Sequence, residues 1–161
     1  MKCETVSLAD ICDLLPGYAF KSKDFGNYEN KVIKIADIIP PRVGMNTLNG
    51  VDLSNYNKEK LEKYIARTGD YLLAMTGATI GKIGRIYKGT AYINQRVLLF
   101  RPKECVEKDF IYYSICSKSF YNYVISSIDS ETAQPNISAN TIGKYKIHLP
   151  HLKIQKKISN I

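Results

Sequence analysis

From Gly69 to Phe100 the chain is a succession of short apolar runs punctuated by glycine, a pattern that fits sheet and leaves no room for a long helix. Tyr71-Leu72-Leu73-Ala74-Met75 reads as a buried strand, Gly77 and Gly81 mark a tight connection, and Lys82 to Tyr87 alternates basic with apolar residues. Val97 to Phe100 is a further apolar strand. The period then changes. Between Asp109 and Ile128, Ile111 and Ile115, then Phe120, Val124 and Ile128, recur at steps of three or four residues, which predicts helix.

The flanking regions carry weaker signals. Val6 to Leu15 is short and apolar and suits a strand or one helical turn, ended by Pro16-Gly17. Lys31 to Ala36 alternates like a half-buried strand, and Pro40-Pro41 predicts an extended exit from it. Arg42 to Asn57 reads as a polar loop, and Lys58 to Arg67 as a helix stopped at Gly69, with Leu61, Tyr64 and Ile65 at helical spacing. Tyr145 to Leu149 alternates as a strand. Pro150 then opens a last helix whose stripe, Ile154, Ile158 and Ile161, is still running at the final residue, so the helix is expected to continue past it.

Net charge is +8, and the excess is local. No acid lies between Asp70 and Glu104, where Lys82, Arg85, Lys88, Arg96, Arg101 and Lys103 fall. None follows Glu131, where Lys144, Lys146, Lys153, Lys156 and Lys157 fall. These two windows hold 11 of the 23 Lys and Arg residues, as expected for a surface that meets a polyanion, although a basic but ordinary surface would look the same. Cys3, Cys12, Cys105 and Cys116 lack the paired spacing of a zinc site, and Cys12 and Cys116 are expected to pack as small hydrophobes. There is no leader pattern and no apolar run near the ~20 residues of a membrane span, so a cytoplasmic location with reduced thiols and no membrane partner is expected.

Several motifs suggest catalysis and fail on chemistry. Gly77-Ala78-Thr79-Ile80-Gly81-Lys82 resembles a phosphate loop, but it has three intervening residues where four are needed, and Ile83 stands where a hydroxyl would hold magnesium. Glu29-Asn30-Lys31 near Asp24 echoes a metal-nuclease motif without the carboxylates such sites draw from separate elements. Ile39-Pro40-Pro41-Arg42 lacks both the polar and the aromatic residue of an amino-methyltransferase motif. His148 and His151 have no clustered co-ligands, so neither a metal site nor a catalytic triad is expected. What remains suits nucleic acid. Asn94-Gln95-Arg96 sets three planar side chains between apolar anchors, and Gln134 with Asn136 repeats the theme; such groups pair with adenine or guanine edges. Asn94, Gln95, Gln134 and Asn136 equally suit buried amides that tie loops to the backbone. Tyr112, Tyr113, Tyr121 and Tyr123 are expected to pack helices.

Five segments, in order, carry a family resemblance: Gly17-Tyr18-Ala19-Phe20-Lys21-Ser22 with Phe25; Gly69 through Lys82; Asn94-Gln95-Arg96; Ala133-Gln134-Pro135-Asn136-Ile137-Ser138; and Leu149-Pro150 leading to Leu152, Gln155 and Ile158. Together they resemble the specificity subunit of type I restriction–modification systems, from about Leu8 to the end. His151 departs from the pattern, in which a second proline often stands at the helix entrance.

The resemblance implies an α+β fold: a target recognition domain with a mixed, curved β-sheet and flanking helices over residues 1–150, then the start of a long coiled-coil-type spacer helix at 151–161. It implies sequence-specific recognition of double-stranded DNA with no catalysis in this chain. Modification methyltransferase and restriction subunits would supply S-adenosylmethionine, ATP and magnesium chemistry, and a second recognition half or copy would pair through the helix. Residue chemistry and loop placement nominate Lys21, Lys23, Arg42, Asn46, Thr76, Thr79, Lys82, Arg85, Asn94, Gln95, Arg96, Gln134 and Asn136 for DNA contact, and Leu152, Gln155 and Ile158 for subunit docking. The alternatives are the recognition domain of a fused restriction–methyltransferase and a protein-interaction domain whose basic surface docks an acidic partner.

Overall fold

The computed structural model describes residues 4–129 and 131–160. In chain order the elements are β1 (Glu4–Ser7), α1 (Leu8–Ile11), β2 (Cys12–Pro16), β3 (Phe25–Ile33), β4 (Ile38–Ile39), β5 (Arg42–Val43), β6 (Gly50–Val51), α2 (Lys58–Leu61), β7 (Ile65–Arg67), β8 (Tyr71–Ala74), β9 (Ile83–Arg85), β10 (Thr90–Ile93), β11 (Val97–Pro102), α3 (Lys108–Ile115), α4 (Lys118–Ser126), α5 (Ala139–Gly143), β12 (Lys146–Leu149) and α6 (Leu152–Ser159). The fold is mixed α+β, and its sheets are curved and unclosed. The chain forms two compact units, one spanning Leu15–Leu99 and the other built from the residues up to Leu14 with those from Phe100 onward.

The Leu15–Leu99 unit is the β-rich one. One sheet runs β6-β3-β10-β7, and a second runs through β11, β8, β9, β5 and β4, with β2 beside β11. Pairing is mixed: β10 lies parallel to β3 and β5 parallel to β9, while β10 with β7, β8 with β9 and β4 with β5 are antiparallel. The near-continuous apolar runs bury on the inside, where Leu72, Ala74, Ile86, Ile93, Val97 and Leu99 lie in one core at 0% exposure. A second core joins Phe20, Val32, Val51, Leu53 and Leu61 to Tyr18, Phe25, Tyr56, Tyr64 and Tyr92. Tyr18 meets Phe20, Tyr56 and Tyr64 with ring centroids 5.0–5.9 Å apart, in tilted and edge-on geometries that aromatic quadrupoles favour. Much of the tyrosine excess is spent here.

In the other unit, β1 pairs antiparallel with β12, from Glu4 opposite Leu149 to Ser7 opposite Lys146. α1 and α5 meet closely enough that a Cβ on Gly143 would lie 3.1 Å from Ala9 Cβ. Phe100, Ile111, Ile115, Phe120 and Val124 are buried, as their spacing requires. Tyr112 is buried and Tyr123 half-buried, whereas Tyr113 and Tyr121 face solvent, so the expectation that all four pack the helices fails for two of them.

Several sequence expectations are corrected. The Lys58–Arg67 helix lasts one turn. The Asn57 side chain accepts the Lys60 N–H at 3.1 Å to cap it, but Ile65 to Arg67 is captured by β10, with Ala66 wholly buried, so sheet pairing overrides helical spacing. Gly69 (φ +90°) turns the chain between strands instead of ending a helix; its N–H reaches the Ile86 carbonyl at 2.7 Å. The Asp109–Ile128 helix divides into α3 and α4 because Ser117 is extended and its hydroxyl accepts the Phe120 N–H at 3.2 Å, an N-cap inside the periodic run. The Lys31–Ala36 strand lies earlier, ending at Ile33, and the Asp37 carboxylate accepts the Lys34 N–H at 2.8 Å to start a 3-10 turn. Pro40-Pro41 reverses the chain between β4 and β5, with a cis peptide between the prolines, instead of extending it. The supposed polar loop from Arg42 to Asn57 contains β5 and β6, and Thr90–Ile93 is a strand the sequence did not announce. Ile161 and Cys3 lie outside the described residues.

Cys12 is buried, and burial pushes its thiol up to about 12, whereas Cys116 is exposed, against the expectation of packing. A folded pKa this far above the usual thiol value keeps Cys12 protonated, so its contribution to stability is intact below about pH 9 and is lost as pH rises toward about 12. Thiol labelling with a maleimide at pH 8 is therefore expected to modify exposed Cys105 and spare Cys12 until the protein is unfolded; native labelling of Cys12 would contradict this packing. No helix among the described residues is long and apolar enough to cross a membrane.

Candidate nucleic-acid interface

Strand alternation assigns Arg42 and Arg85 of the Leu15–Leu99 unit to one sheet face. Leu72, Ile86 and Val43 point inward, and their neighbours Tyr71, Arg85, Tyr87 and Arg42 therefore point outward. Tyr71 sits opposite Arg85 across β8 and β9, and Arg42 sits opposite Arg85 across β5 and β9. The open cleft beside this row is lined by Arg42, Asn46, Thr47, Tyr87 and Lys88, with no carboxylate among its lining residues. The structure thus brings Arg42, Asn46 and Arg85 into one neighbourhood and adds Thr47, Tyr87 and Lys88, which were not nominated. Lys88 lies in the acid-free window, whereas no signal in the sequence set Tyr87 apart from the other tyrosines.

Next along the chain, Gly77 and Gly81, with φ of +69° and +82°, turn Thr76 to Lys82 into a 3-10 loop that feeds β9. No helix follows, and the Lys82 N–H is used by the Thr79 carbonyl at 3.0 Å, so this is not a phosphate loop. Thr76 is buried, Thr79 is half-buried with its hydroxyl donating to the Thr76 carbonyl, and Lys82 is exposed. The Met75 N–H reaches the Arg96 carbonyl at 3.0 Å, tying this loop to the Asn94–Val97 turn.

That turn separates buried main-chain support from exposed side chains. Asn94 donates its N–H to the Ile33 carbonyl and accepts the Val97 N–H, both at 2.9 Å, and its Oδ1 is buried without a partner. Gln95 and Arg96 occupy the two corner positions, exposed, with side chains unpaired among the described residues. Asn94 therefore builds the turn and its neighbours present donors and acceptors.

Lys21 and Lys23 are exposed on a loop that lines a shallow cleft with Asn55, Tyr56 and Asn57. The loop is held by the Tyr56 hydroxyl, which accepts the Lys21 N–H at 3.1 Å and donates to Asp24; burial and that bond to a carboxylate push the phenol above its usual value. Gln134 and Asn136 belong to the other unit. Gln134 is exposed with its carbonyl accepting the Thr132 hydroxyl at 2.6 Å, and the carbonyl of half-buried Asn136 accepts the Asp129 N–H at 3.0 Å.

Of the residues nominated for docking, Leu152 is exposed and Ile158 half-buried. Gln155 is 2% exposed and engaged at both ends of its amide: Nε2 donates to the Pro150 carbonyl at 2.7 Å and Oε1 accepts the Glu107 N–H at 2.9 Å. It fixes α6 to the start of α3 and is not a surface contact. No group of three or more potential metal ligands occurs among the described residues.

Comparison with known proteins agrees with this architecture. Residues 2–161 match the family described as Type I restriction modification DNA specificity domain. The chain is 30% identical, over 165 residues, to the type I restriction enzyme MjaVIII specificity subunit of Methanocaldococcus jannaschii, covering 97% of this chain and 37% of that protein. Among solved structures it is similar to the HsdS subunit of Thermoanaerobacter tengcongensis (TM-score 0.69, 19% identity, 98% of this chain and 35% of that one). It is also similar to the type I restriction–modification S subunit of M. genitalium (TM-score 0.65, 13% identity, 99% and 38%). The chain thus spans little more than a third of the length of these relatives. On the family match over nearly its whole length, the chain belongs to the type I restriction modification DNA specificity domain family.

Proposed function

We propose that this chain reads double-stranded DNA as one target-recognition half of a type I specificity subunit. The observation that carries the reading is the Asn94–Val97 turn, whose main chain is tied to Ile33 and Met75 and closed by the Val97 N–H on the Asn94 carbonyl, while Gln95 and Arg96 are exposed with side chains unpaired among the described residues. Gln pairs bidentately with adenine and Arg with guanine, so this is a base-reading device on a rigid support. Lys21, Lys23, Lys82, Arg42 and Arg85 would set register through phosphates, and Gln134 would contribute from its own loop.

In this reading residues 1–150 form the recognition domain and residues from 151 begin the spacer helix. Adenine methylation and cleavage belong to modification and restriction subunits, which would hold S-adenosylmethionine, ATP and magnesium. α6 would pair with a second recognition half and meet the methyltransferase through Leu152 and its exposed neighbours, Gln155 serving only to hold the helix in place.

Arg96→Ala is expected to weaken binding by about 1–3 kcal/mol and to relax preference at one position of the target. The measurement is selection of random duplexes by the specificity subunit assembled with its methyltransferase, for both proteins. An equal loss on every sequence would demote Arg96 to a phosphate contact. An assembled complex that gains no sequence preference from this chain would end the reading.

A further inference from the structure

We propose that Arg42, Tyr87 and Arg85 form a clamp for one backbone phosphate, with Tyr87 as the positioning residue that holds both guanidinium groups; this rests on the DNA-reading function proposed above. The register supplies the first ground. Arg85 stands between Tyr71 on β8 and Arg42 on β5, so three side chains form one row across three strands, and Tyr87 lies two residues along on the same face. The guanidinium carbons of Arg42 and Arg85 each lie 5.7 Å from the centre of the Tyr87 ring, and that of Arg85 lies 5.6 Å from the Tyr71 ring. These distances are within the range of cation–π attraction.

A packing detail makes the row possible. A Cβ on Gly84 would lie 2.6 Å from the Arg42 carbonyl oxygen and 3.2 Å from Val43 Cγ2, so only glycine lets β5 approach β9 this closely. The Arg85 N–H then reaches the Pro41 carbonyl at 3.0 Å. The charge balance supplies the second ground. Neither guanidinium has a hydrogen-bonding or carboxylate partner among the described residues, and the adjoining cleft adds Lys88 and no acid. Two like charges held near one ring repel each other unless an anion sits between them. The guanidinium fork matches phosphate oxygens, and cation–π attraction to the ring orders both forks before the anion arrives. Tyr87 is 58% exposed, which suits a ring kept at the surface to aim its neighbours.

The test uses the full specificity subunit assembled with its methyltransferase, and measures affinity for a random-sequence duplex pool and for the selected target across a salt series. Arg42→Ala and Arg85→Ala should each lower the slope of log affinity against log salt, and together by about 1 because they share one phosphate, with the same fold-loss on both duplexes. Tyr87→Leu should weaken binding several-fold while Tyr87→Phe stays at the wild-type level. Combining Tyr87→Leu with Arg85→Ala should cost less than the product of the single losses, which a merely structural ring would not produce. Unchanged slopes in both arginine variants, or losses confined to the selected target, would overturn the clamp. Full additivity would overturn the positioning role. Inorganic phosphate competing as effectively as duplex would assign the cluster to free anions and overturn the DNA assignment. A wild-type complex that binds no duplex overturns the underlying reading before any variant is made.

Discussion

Phe120→Ala is expected to destabilise the protein by about 3–5 kcal/mol, the range for truncating a large buried aromatic. Phe120 is 1% exposed, and its ring lies edge-on to Phe100 at 6.3 Å and to Tyr145 at 5.1 Å. Tyr145 continues the cluster to Tyr123 at 5.2 Å, and both tyrosines are anchored by their hydroxyls, to Ser119 Oγ at 3.1 Å and to the Thr141 carbonyl at 2.7 Å. Anchored neighbours cannot collapse into the space a lost ring leaves, which places the loss at the upper part of that range. Domains of this size have about 5–15 kcal/mol in total, so the variant should sit near its unfolding midpoint in mild denaturant. Equilibrium urea unfolding checks this; a loss below about 1 kcal/mol would contradict the packing described.

Gln155→Ala should be nearly as damaging, at about 2–4 kcal/mol, although it removes no apolar surface. It strips a partner from both the Glu107 N–H and the Pro150 carbonyl, and each part-buried group so orphaned costs about 1–3 kcal/mol. Gln155→Leu restores bulk but neither bond, so it should recover little. Exposed Lys156→Ala is the control and should stay within about 0.5 kcal/mol of the wild type. Urea unfolding gives the magnitudes, and hydrogen exchange should show the α6 amides opening first in the Gln155 variants. Equal protection of α6 in both proteins would mean that the two bonds do not hold the helix.

The parts of the fold legible in the sequence are those where one physical signal dominates. The run from Tyr71 to Met75 is apolar on every residue and could bury only as an inner strand. Phe120 and Val124 declared α4 by spacing. The failures share a different cause. Ile65 has perfect helical spacing with Leu61, yet becomes strand because β10 offers a pairing edge far along the chain. Ser117 ends one helix and caps the next with a hydroxyl that periodicity does not count. The candidate site was legible as residue types but not as roles. Gln95, Arg96 and Arg42 are exposed, Gln155, read as a docking contact, is buried on Glu107 and Pro150, and Asn94 serves the turn through its main chain while its side-chain Oδ1 has no partner. An isolated amide in a sequence carries no sign of which backbone groups it will meet. Tyr87 was missed because an exposed ring looks like any other tyrosine until strand register places two arginines beside it.

The Asn94–Val97 turn has a consequence for how such a protein changes its target over time. Its geometry depends on main-chain bonds from Asn94, Arg96 and Met75, none of which involves the side chains at 95 and 96. Substitution there should leave stability within about 0.5 kcal/mol, the usual tolerance of exposed positions. In the proposed reading, in which Gln95 and Arg96 contact bases, two adjacent letters of the recognition code can therefore drift independently of foldability, and a lineage can test new target sequences without first acquiring compensating mutations elsewhere.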